Sequence, residues 1–145
     1  MAVRTAHARW EGPLVRGKGT MDTESGAFSG QYSFTSRFEE GGGTNPEELI
    51  GAALAGCFSM ALAHGLAEGG HVATSVDTVA RVRIEAVEGG FAITGIELTC
   101  DADVPGITDA ELQAAAEATK AGCPVSKALR VPIALEATLG NPGDT

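Results

Sequence analysis

Basic residues are scarce. Ten lysines and arginines stand against 19 aspartates and glutamates in 145 residues, a net charge of −9. An acidic surface repels phosphate backbones and anionic headgroups, so neither nucleic acid nor membrane is expected as a partner. Cysteine is also sparse, and three residues do not make a disulfide scaffold. The opening MAVRTAHARWEG lacks the apolar h-region of a signal peptide, and a cytoplasmic chain is expected. In that compartment a cysteine pair is more often catalytic or redox-active than structural. There is no C-x-x-C or H-x-x-x-H spacing, and His7 and His71 have no partner in sequence. Neither a metal nor a cofactor is expected. No repeat or linker interrupts the chain, which predicts a single domain over 1–145, large enough for a core.

Glycine, in contrast, is abundant. There are 20, where average use would give about 10. Turns and close backbone packing follow. Strands are predicted over 2–10 and 14–21, flanking Glu11-Gly12-Pro13, and over Tyr32–Phe38. Residues 23–30 and Gly41-Gly42-Gly43 read as loops. A long helix follows, with Asn45 as cap, Pro46 at its first position and Glu48 placed to close a capping box. From Leu49 to about Ala67 it is apolar nearly all round and crowded with small residues such as Gly51, Ala55, Gly56 and Ser59. It approaches a bilayer span, but three glycines, Ser59, His64 and the lack of a basic flank oppose that reading. A helix apolar on every side must be buried, which predicts a central helix packed on both sides.

A hairpin is predicted over 75–87 and 91–102, turned at Glu88-Gly89-Gly90, with a slip of phase and hence a bulge at Gly95. A second helix starts at Thr108, three residues before Glu111, and ends at Gly122. Cys123-Pro124 opens a short helix through Leu129. Val131–Leu139 is a last strand, and a frayed tail is expected from Asn141 on. The order is βββ-α-ββ-α-β, an α+β architecture.

Two thiols stand out. Cys57 lies mid-helix, where a free cysteine commonly serves as a small buried hydrophobe. Cys123 holds the N-cap of the short helix, where the dipole would lower its pKa. Cys100 alternates with Ile96 and Leu98 and reads as core. His64 follows Cys57 by seven positions, roughly 10.5 Å along a helix, too far for a hydrogen-bonded dyad. Arg37 ends the third strand and Glu47 sits in the first helical turn. Each also has an ordinary structural explanation, an exposed strand charge and a dipole-favoured acid.

The run Thr44-Asn45-Pro46-Glu47-Glu48-Leu49-Ile50-Gly51-Ala52-Ala53-Leu54-Ala55-Gly56-Cys57-Phe58-Ser59-Met60-Ala61-Leu62 closely resembles the central helix of the OsmC/Ohr family. So does Cys123-Pro124-Val125-Ser126-Lys127-Ala128-Leu129, and the wording is closer to the OsmC branch. Leu54 stands where the OsmC pattern often has a histidine, a departure expected to touch pocket shape more than catalysis. The resemblance implies an intertwined homodimer that reduces organic hydroperoxides and, less well, hydrogen peroxide. By motif position, Cys57 resembles the peroxidatic cysteine, Cys123 the resolving one, and Arg37 and Glu47 the family's arginine and acid. Arg37 would stabilise the Cys57 thiolate, and Glu47 would hold the guanidinium. Attack would leave a Cys57 sulfenic acid that condenses with Cys123. Apolar residues around Phe58 and Met60 would favour organic peroxides. The family points to a lipoyl-type dithiol as reductant. The competing readings are a non-enzymatic redox sensor or ligand-binding dimer with the same thiols, and a hotdog-type thioester hydrolase.

Overall fold

The computed structural model describes residues 2–140, so the tail expected to fray lies outside the described residues. The chain divides after Leu49 into two compact units.

The first unit is an antiparallel meander, β1 (Ala6–Glu11), β2 (Lys18–Thr23) and β3 (Ser29–Tyr32), followed by a short helix, α1 (Phe34–Phe38). The first turn is wider than Glu11-Gly12-Pro13. It runs from Gly12 to Gly17, closed by the Gly17 amide on the Pro13 carbonyl at 2.7 Å. Register pairs Trp10 with Gly19 and Gly19 with Tyr32, putting all three on one face. Gly19 is required there, because a Cβ would collide with both rings, whose centroids are 5.3 Å apart.

The strand expected over Tyr32–Phe38 stops at Tyr32. Ser33 instead caps α1 through a reciprocal box with Ser36, and the Ser36 hydroxyl donates to the Thr44 carbonyl at 2.8 Å. Alternating aromatics suggested period two, but Phe34 and Phe38 are also i and i+4, and their rings meet at 5.1 Å on one helix face.

The long helix α2 (Pro46–Glu68) starts as expected, with Asn45 Oδ1 accepting from the Glu48 amide at 2.7 Å. The capping box does not close, since the Glu48 carboxylate accepts from the Thr44 hydroxyl instead, at 2.8 Å.

The second unit is built on β4 (Ser75–Val87), β5 (Gly90–Asp103) and β6 (Ile133–Gly140). β4 and β5 form the expected hairpin, and Gly89 and Gly90 turn it with positive φ. The bulge falls where the phase slips: Arg83 faces Gly95 and Ile84 faces Ile93, leaving Thr94 as the extra residue. β6 joins β5 in parallel, with Ile133, Leu135, Ala137 and Leu139 toward the core. α3 (Asp109–Gly122) carries the predicted Thr108–Glu111 capping box. Leu112, Ala116 and Thr119 form its buried stripe. α4 (Pro124–Ala128) follows directly.

Leu54, Phe58, Leu62 and Leu66 of α2 form a fully buried stripe at four-residue spacing against Ile96, Leu98 and Cys100. The Ser59 hydroxyl donates to Thr78 of β4 at 2.7 Å. α2 is long and apolar enough to cross a bilayer by composition alone. This chain covers only one of its faces. Ala52, Ala53 and Gly56 lie open, and Met60 is 77% exposed, so packing on both sides is not achieved within one chain. Leu54 is in the core stripe, so the departure at that position changes core packing, not a pocket.

Candidate active site

Two constellations are built, one in each unit. In the second, α2 holds Cys57 beside its buried stripe, and the α3–α4 junction holds Cys123. The junction is tightly determined. The Cys123 amide ends α3 on the Thr119 carbonyl at 2.8 Å, and Pro124 opens α4. The two sulfurs are 2.6 Å apart, with the Cys123 thiol donating to Cys57. Two side chains 66 positions apart in sequence thus meet at a distance only slightly longer than a covalent S–S bond of about 2.05 Å.

The two cysteines differ in access. Cys57 is half-buried, whereas Cys123 is 1% exposed. Burial pushes the Cys123 thiol up from its ordinary value, and so does its donation to Cys57. The amides of Ser126 and Val125 act in the opposite direction but are outweighed. This corrects the expectation that the N-cap dipole would lower this pKa. A five-residue helix offers little dipole, and desolvation wins. Cys100 is core as expected, fully buried, with its pKa raised by desolvation. His64 lies exposed 3.6 Å from Glu68 and takes no part.

In the first unit, Arg37 does not end a strand but rides on α1. Its Nε lies 3.1 and 3.3 Å from the two Glu47 carboxylate oxygens, and its Nη2 donates to Oε1 at 2.8 Å. Glu47 is nearly fully buried while Arg37 is partly open. A buried carboxylate needs such a partner, because an unpaired one costs several kcal/mol of desolvation. The guanidinium lies 5.1 Å over the Phe38 ring. Sequence reading missed the cavity beside this pair, lined by Trp10, Leu14, Tyr32, Phe34, Phe38 and Arg37. The Trp10-Gly19-Tyr32 pairing was its only signal. Phe58, expected near peroxide, lies in the core instead.

A cysteine pair in contact, one half-buried and one enclosed, on a mixed α+β frame with a long apolar helix defines a two-thiol redox protein. The family model described as OsmC-like protein matches residues 39–138, and the chain belongs to that family. Peroxiredoxin OsmC of Escherichia coli is 51% identical over 134 residues, covering 92% of this chain and 94% of that one. An organic hydroperoxide resistance protein of Xanthomonas axonopodis is 38% identical over 104 residues, 68% of each chain. The crystal structure of the organic hydroperoxide resistance protein OhrB of Bacillus subtilis superposes with a TM-score of 0.70 at 25% identity, covering 94% of this chain and 98% of that one.

Proposed function

We propose that this chain, a thiol-dependent peroxidase of the OsmC-like family, acts as one functional domain in a homodimer that reduces organic hydroperoxides. The observation that carries the reading is the Cys57–Cys123 contact. Cys57 is the more accessible thiol and takes the peroxide. Its thiolate attacks one peroxide oxygen, the O–O bond breaks, and the departing alkoxide takes a proton and leaves as alcohol. Cys57 is then a sulfenic acid. The enclosed Cys123 thiol attacks that sulfur, water leaves, and a disulfide forms. Burial favours its protonated thiol and, with Cys123 enclosed, keeps peroxide from it until the sulfenic acid appears beside it. An external dithiol, of lipoyl type by family resemblance, returns both thiols and is itself oxidised to a disulfide. The cycle belongs in the cytoplasm, where such dithiols are kept reduced.

Arg37 supplies the positive charge for the thiolate and the peroxide, and Glu47 fixes its plane. Glu47 and Cys57 lie ten positions apart on α2, roughly 15 Å along the axis and about 80° in azimuth. A two-fold dimer brings the partner's Arg37 and Glu47 to each Cys57 instead. It also covers the open face of α2.

The test is peroxide consumption with a dithiol. Wild type should turn over cumene hydroperoxide, Cys57→Ser should fall to the uncatalysed background, and Cys123→Ser should stop after one equivalent. Full activity in Cys57→Ser would favour the hydrolase reading, and no turnover by wild type would return the reading to a redox sensor or binding dimer.

A further inference from the structure

Lysine and arginine are scarce in this chain, yet three of the ten fall in residues 118–135, a stretch without a single acid that surrounds Cys123. Lys120 is taken up by Glu117 at 3.5 Å. Lys127 and Arg130 are exposed and have no ion-pair partner among the described residues. Neither enters the thiol cycle. We propose that Lys127 and Arg130 form the docking point for the acidic surface of a protein that carries the reducing dithiol on a flexible arm. This surface serves the disulfide cycle proposed above and depends on it.

α4 places the two cations. Val125 and Leu129 pack on the core, which turns the rest of the short helix toward solvent. The Lys127 amide donates to the Cys123 carbonyl at 3.0 Å, so Lys127 stands one turn beyond Cys123, roughly 6 Å along the axis. Leu129 closes the helix by its amide on the Ser126 carbonyl at 3.3 Å, and Arg130 follows at once. The charges thus lie on the surface over the enclosed thiol, not at the sulfurs themselves. A free dithiol has no need of a contact there. A carrier has, because its body rests outside while its thiols reach inward.

The exchange defines where those thiols go. Cys123 is enclosed, so one carrier thiolate attacks the half-buried Cys57 sulfur and the Cys57–Cys123 bond breaks. Cys123 leaves as thiolate, with the Val125 and Ser126 amides donating to its sulfur, and takes a proton. The second carrier thiol then displaces Cys57 from the mixed disulfide. Two electrons and two protons pass to the protein, and the carrier keeps a disulfide. Electrostatics select the carrier. The net charge of −9 repels an acidic body over most of the surface, so an isolated cationic spot fixes where such a body settles. Screening over about 10 Å at 0.1 M salt confines the effect to groups that rest near that spot.

The probes are synthetic peptides with a dihydrolipoyl group on a central lysine, flanked by aspartates, by asparagines or by lysines. With cumene hydroperoxide saturating, kcat/KM for the aspartate peptide should exceed that for the asparagine peptide by about tenfold at low salt, and added salt should erase the difference. Net charge alone predicts the opposite order, with the lysine peptide best. In Lys127→Gln/Arg130→Gln the ratio should fall to about one, and in Lys127→Glu/Arg130→Glu the lysine peptide should lead. Ratios taken within each protein are insensitive to a general loss of activity. Equal use of the three peptides by wild type overturns the docking point, and so does an aspartate preference that survives in the glutamine variant. Altered sedimentation of the glutamate variant also overturns it, by assigning the patch to a subunit contact. A wild type that forms no Cys57–Cys123 disulfide with cumene hydroperoxide overturns the thiol cycle and the docking point together. A disulfide that forms but shows no peptide preference overturns the docking point alone.

Discussion

At the scale of single residues, the chemistry is divided by burial. Cys57 and Cys123 touch, and only Cys57 keeps some exposure to solvent. One equivalent of cumene hydroperoxide should therefore remove two free thiols and leave Cys100 reduced, as a peptide map would show. A bridge containing Cys100 would overturn the assignment. Burial also makes the reduced protein sensitive to alkali. Cys100 and Cys123 are both raised from the ordinary value of 9.0, chiefly by desolvation. Thiols of the unfolded chain ionise at lower pH than these two. Stability is thus intact below about pH 9 and declines as pH rises through the folded values. Urea midpoints of the reduced protein at about pH 7 and about pH 10 should differ more than those of the Cys100→Ala/Cys123→Ala protein. An equal decline in the two would remove the thiols as its cause.

At the scale of elements, capping and striping account for most of what could be read in advance. The Thr108–Glu111 box starts α3 where its spacing predicted. Thr108→Ala should cost about 1 kcal/mol of unfolding free energy by denaturant titration. Leu54 sits in the central stripe of α2, so Leu54→Ala should cost about 2–5 kcal/mol. A loss at Leu54 no larger than at Thr108 would mean that this stripe is poorly packed. α1 is a helix where the sequence pattern predicts a strand, for a physical reason. Over seven residues, Tyr32 to Phe38, apolar positions two apart and four apart overlap, so periodicity cannot decide between strand and helix. The Ser33–Ser36 box and the Thr44 carbonyl decide it, and the second lies eight residues further along the chain.

At the scale of the whole molecule, the uncovered face of α2 is what supports the proposed dimer. If each site combines Cys57 and Cys123 of one chain with Arg37 and Glu47 of the other, inactive chains should complement. Co-expression of Cys57→Ser chains with Arg37→Ala chains should give heterodimers with about half the wild-type activity, since one of two sites is complete. Heterodimers as inactive as either parent would place all four residues in one chain. Arg37→Ala homodimers should show a pH–rate profile displaced toward alkaline pH, and an unchanged profile would leave Arg37 only as the structural partner of the buried Glu47.

The sequence by itself determined the α+β class, the boundaries of α3 and α4, the β4–β5 hairpin with its bulge, and the core place of Cys100. Each of these depends on contacts within a few residues or on simple alternation. It also marked Glu47, Cys57 and Cys123, which lie in two long motifs that resemble one family, and Arg37, which stands just before the glycine loop that precedes the first motif. Tertiary structure alone decided the rest. It brought the two sulfurs together across 66 positions. It enclosed Cys123 so that desolvation overrides its N-cap position, and it seated Arg37 on a helix against a buried Glu47. It also folded Trp10 and Leu14 toward Arg37 around a cavity. Burial and long-range proximity are properties of the packed chain. No local spacing encodes how much water a side chain will lose.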